Sequence, residues 1–243
     1  MLRRLLFLLI LVFAFPAFAE IDDEFETYET SEPEEIYDPY EKINRKVFAV
    51  NDVFDRHLFW PIAKTYRKSL PEGVRDAVHN FLNNLSLPIS SVNSLAQGKT
   101  DNALATFSNF LINSTVGLAG LFDIAGRKGI FYKYEDFGQT LGRYGAGSGA
   151  YLMLPVLGPS STRDLGGLTA DRMVNPIGFN VFEVGGRREI VPVEYFVGLG
   201  LVSGIDTRES LIDVVDDVRR DSFDPYATIR SAYLQKRLND IKN

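Results

Sequence analysis

Residues 38–54 read DPYEKINRKVFAVNDVF, and the fold class turns on this stretch. Asp38 stands where a helix N-cap belongs, Pro39 at the first helical position and Glu41 at the third, which predicts a capping box. Apolar residues recur at Tyr40, Ile43, Val47, Val50 and Phe54, while Asn44, Arg45, Asn51, Asp52 and Asp55 fall elsewhere around the wheel. Spacings of three and four make this an amphipathic helix. Leu58-Phe59-Trp60 is then apolar all round before Pro61 closes the run.

The same signals continue along the chain. A helix is predicted over Glu72–Leu85, with Val74, Val78, Phe81, Leu82 and Leu85 on one stripe, and a shorter one over Pro88–Gln97 that stops at Gly98. Thr100 is placed to cap the next. Residues 102–122 carry no charge over a length comparable to a bilayer core. Yet Asn102, Thr106, Ser108, Asn109, Asn113, Ser114 and Thr115 lie within the run, and Gly117 and Gly120 break its second half. A buried core helix and a helix lying in or against lipid both satisfy that pattern.

Phe137 to Gly167 is dense in glycine, and helix signals return at Thr162–Val174, Ile190–Val202 and Leu211–Val218. Asp224-Pro225 caps a last helix carrying Ile229, Tyr233 and Leu238. Strand alternation is weak and no repeat has a solenoid period. The expectation is a mainly α protein: one domain, residues 37–243, of amphipathic helices with glycine-rich loops.

Upstream, Arg3 and Arg4, the apolar run Leu5–Phe15 and Ala17-Phe18-Ala19 have the form of a secretory signal peptide over residues 1–19. Residues 20–36 form an acidic segment, with nine acids and no Lys or Arg between Glu20 and Glu35, and this composition predicts a disordered tail. That segment accounts for the net charge of −6, since the body is near neutral. Without a basic field, binding to nucleic acid is not expected. There is no cysteine, which removes disulfides, thiolate metal sites and cysteine nucleophiles.

Local chemical motifs fail on inspection. Gly98-Lys99-Thr100 lacks the glycine that a phosphate loop needs at position 93, where Asn93 stands, and a helix precedes it. Ser148 has Ala146 and Ala150 where a nucleophile elbow needs glycine. His57 and His79, the two histidines, are too far apart in sequence for a helical metal pair and are expected at helix surfaces. No cofactor, metal or catalytic residue is predicted, although a triad assembled in space stays open.

Asp38-Pro39-Tyr40-Glu41-Lys42-Ile43-Asn44-Arg45 resembles the opening motif of the MlaA (VacJ) family. Phe137-Gly138-Gln139-Thr140-Leu141-Gly142, then Tyr144-Gly145, Gly147, Gly149, Tyr151, Leu154-Pro155, Gly158, Arg163-Asp164 and Gly167 resemble its central signature. Ile205-Asp206-Thr207-Arg208 and Ser222-Phe223-Asp224-Pro225-Tyr226, with Arg230, Ala232-Tyr233 and Gln235, resemble its C-terminal one. The similarity runs in order from Tyr37 to Leu238. It implies a ring of helices in the inner leaflet of the bacterial outer membrane, around a central amphipathic channel and beside a trimeric porin. Such proteins take misplaced phospholipid from the outer leaflet and pass it to a periplasmic lipid carrier. Many family members are anchored through an acylated cysteine; this sequence has none.

Moving a lipid across water costs about 0.8 kcal/mol per methylene, on the order of 20 kcal/mol for two chains. No ATP motif is present, so the protein must offer a passive path. On this reading Gly142, Arg143, Tyr144, Gly145, Gly147, Gly149, Tyr151 and Pro155 line or gate the channel, Arg143 meets the headgroup, and Asn44 braces the gate. Arg163, Arg187 and Arg188 are weaker headgroup candidates, and Trp60 suits an interfacial belt. Two other readings stay open: a structural adaptor that organises porins without moving lipid, and an envelope phospholipase.

Overall fold

The computed structural model describes residues 36–174, 181–184, 187–190 and 193–243. The signal sequence and the acidic segment up to residue 35 lie outside the described residues. The chain is mainly helical. Helix α1 (Glu41–Phe54) runs through a π-helical turn (Asp55–Phe59) into α2 (Trp60–Ser69). Helices α3 (Glu72–Ala96) and α4 (Thr100–Thr115) form a hairpin, followed by the short α5 (Ile124–Arg127) and α6 (Phe137–Arg143). Strands β1 (Tyr151–Leu154) and β2 (Gly158–Ser161) pair antiparallel, with Tyr151 opposite Ser161. Helix α7 (Thr162–Val174) leads to a second hairpin, β3 (Val181–Val184) and β4 (Arg187–Ile190). Helices α8 (Val193–Ser210), α9 (Ile212–Asp221) and α10 (Pro225–Lys242) complete the domain.

Several local expectations are corrected. No capping box forms at α1: its N-cap is Tyr40, and the Asp38 carboxylate instead accepts from Asn44 Nδ2 (2.8 Å), Tyr226 Oη (2.5 Å) and Arg230 Nη1 (2.7 Å). Charge-assisted bonds to a distant arginine outcompete a local backbone cap. Pro88 does not separate two helices, because α3 continues through it while packing against α4. Gly98 does end α3 (φ 76°): its N–H reaches Leu95 O and that of Lys99 reaches Ser94 O, a Schellman closure. Thr100 is already helical, and Lys99 is the N-cap of α4. The charge-free run stops being helix at Thr115 and turns through positive φ at Leu118, Ala119 and Gly120. At 1.5 Å per residue α4 is about 24 Å long, short of a hydrocarbon core of about 30 Å. Among the described residues no helix is long and apolar enough to cross a membrane.

Polarity is reversed on several helix faces. Buried polar residues outnumber buried apolar ones among the described residues, and Phe54, Leu58, Leu104, Phe107, Leu111 and Val116 are exposed. On α4, at 100° per residue, Leu104, Phe107 and Leu111 share the side opposite Asn102, Thr106, Asn109 and Asn113. The polar side is the inward one. Asn102, Asn109 and Asn113 bond the backbone of Lys133, Ile130 and Ile124–Ala125 and so clamp the returning segment along the helix. The stripe of α1 also faces outward: Ile43, Val50 and Phe54 are exposed and Asn44 is buried. It then continues at intervals of four, Phe54, Leu58, Ile62, all exposed. A period of four outruns an α-helix, and the wider π turn brings the stripe back into line.

The first and last helices are joined. Arg45 reaches Asp224 at 2.7 Å and lies 4.4 Å from the centre of the Tyr226 ring, while Arg230 reaches Asp38. Between α6 and α7 the backbones meet at glycines: a Cβ on Gly167 would come within 2.6 Å of Gly138 Cα.

Candidate functional site

Two adjoining cavities, both open to the surface, lie among these elements. The larger, of about 400 Å³, is bounded by α1, the π turn, the β1–β2 hairpin, α8, α9 and α10. Its wall is mostly apolar, with Phe48, Phe54, Met153, Val156, Val215 and Ile229 among its members. One side is charged and internally neutralised. Arg208 holds Asp55 with two nitrogens (2.6 and 3.0 Å), and Arg219 bridges Asp52 (2.7 Å) and Asp55 (2.7 Å). Burial would raise the Asp55 carboxyl, but the two guanidinium groups outweigh it and hold it below the ordinary range.

The smaller cavity, of about 150 Å³, has a mixed wall in which Leu82, Ile89 and Leu168 stand among charged side chains, and it lies between α3, the segment before α6, the β1–β2 hairpin, α7, α8 and α10. Leu157, Pro159, Thr207 and Tyr233 line both cavities, so they are neighbours across one thin partition. Arg237 sits on the wall of the small one. It donates to Asp136 at 2.7 and 3.0 Å and to Asp164 at 2.9 and 3.1 Å, and Tyr233 Oη donates to Asp164 at 2.6 Å. His79 is partly exposed on its helix and also lines this cavity: Nδ1 meets Asp206 Oδ2 at 2.8 Å and Nε2 meets Asn83 Nδ2 at 2.8 Å. His57 is exposed as expected.

The β1–β2 hairpin supplies the element between the cavities, and α1 holds it there. Asn44 accepts from Met153 N (2.9 Å) and donates to Tyr151 O (3.0 Å). Seven residues on, Asn51 accepts from Val156 N and donates to Leu154 O, both at 2.9 Å. Seven residues are close to two helical turns, so the two amides stand on one face and clamp the hairpin at both ends. Asn44 thus has a bracing position, and Asn51 is its partner that sequence reasoning missed. Two asparagines at i, i+7 between apolar stripes were the available signal. Asn44→Ala leaves the Met153 N–H buried without its acceptor, and such a loss costs about 1–3 kcal/mol. Chemical denaturation should show a loss in that range.

The other expected path residues form a different neighbourhood. Gly142 packs close to Ile241, and Tyr144 is exposed, with its hydroxyl donating to Ala96 O at 2.6 Å. Arg143, Gly145, Gly147, Gly149 and Pro155 are exposed. Tyr151 is 1% exposed, packed edge-on against Tyr226 and Tyr233. None of these residues, nor Asn44, lines either cavity. The expected segment reaches the cavity walls only at Met153 and Leu154. Arg163 is committed to Asp164 at 2.9 Å, and the side chains of Arg187 and Arg188 lie outside the described residues. Trp60 is half-buried, donating to Asp216 at 3.1 Å under Lys64, while Phe54, Leu58 and Ile62 near it are exposed.

Comparison with known proteins bears on the same span. The family model described as MlaA lipoprotein matches residues 36–240. An uncharacterized protein of Rickettsia bellii is 36% identical over 221 residues, covering 89% of this chain and 83% of its own. The intermembrane phospholipid transport system lipoprotein MlaA of Escherichia coli K12 is 33% identical over 203 residues, covering 82% and 76%. A solved structure presented as the structural basis for maintenance of bacterial outer membrane lipid asymmetry superposes with a TM-score of 0.72 at 33% identity. It covers 84% of this chain and 98% of its own.

Proposed function

This chain belongs to the MlaA lipoprotein family, and from that premise we propose that it moves phospholipid from the outer membrane towards the periplasm through the larger cavity, maintaining lipid asymmetry. The observation that carries the proposal is the reversed polarity. Exposed apolar stripes, without a spanning helix among the described residues, suit a protein lying within one leaflet, and much of the charged interior is ion-paired. A dry wall beside a compartment that carries charged side chains gives acyl chains and headgroup each a suitable surface. That removes most of the aqueous barrier without an energy source. A periplasmic carrier is the receiving partner, and a trimeric porin is a neighbour for the outward apolar faces. With no cysteine to acylate within these 243 residues, the exposed stripes of α1, α2 and α4 provide the attachment.

The envelope phospholipase reading is less well supported. The His79 nitrogen that would take a serine proton faces the Asn83 amide instead. Protein extracted gently from membranes should carry intact phospholipid, detected by native mass spectrometry. Reconstituted protein should pass labelled lipid from donor to acceptor vesicles. Release of lysophospholipid would favour hydrolysis, and porin co-purification without any flux would favour the adaptor reading.

A further inference from the structure

The small cavity is unevenly charged. Four aspartates line it, Asp136, Asp164, Asp171 and Asp206, against Arg172, Arg237 and His79. Arg237 is spent on Asp136 and Asp164. Asp171 accepts from Asn93 Nδ2 and Phe137 N, both at 2.9 Å, and makes no ion pair among the described residues. Asp206 is 5% exposed and is met by His79 and, at 3.4 Å, by the Tyr66 hydroxyl. Burial, the largest influence on it, raises the Asp171 carboxyl above the usual carboxylate range, with Asp136 adding to the effect. A buried carboxylate in that position is stabilised by any cation that enters with N–H donors. A cavity of about 150 Å³ has room for a small headgroup. The adjoining larger cavity offers the lipid's chains an apolar wall whose own charges are already paired.

We propose that the small cavity receives the primary ammonium of a zwitterionic phospholipid headgroup, with Asp171 as its contact. This rests on the transport reading. An anionic glycerol headgroup would bring like charge to the aspartates, and a choline headgroup has the charge but no N–H to donate.

Vesicles of phosphatidylcholine carrying a minor fraction of acyl-labelled phosphatidylethanolamine, phosphatidylglycerol or phosphatidylcholine serve as donors to the full chain. The label on phosphatidylethanolamine should reach acceptor vesicles about tenfold faster than either other label, the size of one charge-assisted hydrogen bond. Asp171→Asn, nearly isosteric and still able to accept from Phe137 N, should erase that preference by bringing the phosphatidylethanolamine rate to that of the other two labels. Its melting curve shows whether it is folded. Should that variant not fold, the wild-type comparison of the three labels decides alone. Equal rates for phosphatidylethanolamine and either competitor, or a preference that survives in folded Asp171→Asn, would overturn the headgroup inference while transport stands. No transfer of any label overturns transport and this inference together.

Discussion

Gly204→Trp should abolish lipid transfer while leaving the protein folded. Gly204 lies on α8 in the wall of the larger cavity, and a Cβ built there meets no atom within 4 Å. An indole therefore enters open space rather than a packed core. Replacing a helical glycine also removes backbone entropy from the unfolded chain and favours the helix by up to about 1 kcal/mol, so thermal stability should hold or rise. Transfer between vesicles should fall by at least an order of magnitude, because the indole occupies the apolar surface that acyl chains would follow. Gly198→Trp is the control: it sits on the same helix with equally open space, but is exposed and lines neither cavity. If folded Gly204→Trp transfers lipid like the wild type, the larger cavity is not the route.

That test uses a glycine the sequence did not single out, and the reason is physical. Helix positions were readable from caps and periodicity: α7 matches its expected span, and Asp224-Pro225 caps α10 with its side chain on Ala227 N. Direction was not readable. An apolar stripe says that one face avoids water, and whether it meets protein or lipid depends on what the opposite face binds. Here the opposite faces carry asparagines and paired charges, and on α1 and α8 their partners lie a hundred or more residues away, as Asn44 with Met153 or Arg208 with Asp55. The same distance explains the site. The glycine segment stands out by its composition, yet Gly145 and Gly147 lie in an exposed loop, while the walls of the larger cavity come from α1, α8, α9 and α10 brought together by tertiary packing. The family motifs were legible as motifs without their purpose. Asp38, Arg45, Asp164, Asp206, Arg208, Asp224 and Arg230 are ion-pair or hydrogen-bond partners between elements, which hold the walls in place.

Arg237→Met should cost the domain about 3–5 kcal/mol, the penalty for stranding buried charges. Arg237 is 11% exposed and is the common partner of Asp136, ahead of α6, and Asp164 in α7, so it ties α10 to both. Methionine fills much of the stem but leaves both carboxylates without their main cation. Their pH dependence gives a second signature. Burial alone would raise the Asp164 carboxyl, but Arg237, with Arg163 and Tyr233, holds it far below the ordinary range. A carboxylate depressed in this way stabilises the fold above its unfolded pKa of about 4, and the contribution fades as pH falls below that value. Asp171, raised by burial, runs the other way: it destabilises at neutral pH and is relieved on protonation. Wild-type stability should therefore drop steeply below about pH 4. Arg237→Met should start lower and fall less, since the group that gave the acid slope has lost its cation. Denaturant melts at neutral pH and near pH 3 would show this as a narrowing gap between the two proteins. A gap that stays constant with pH would mean that the arginine acts through packing of its stem and not through charge.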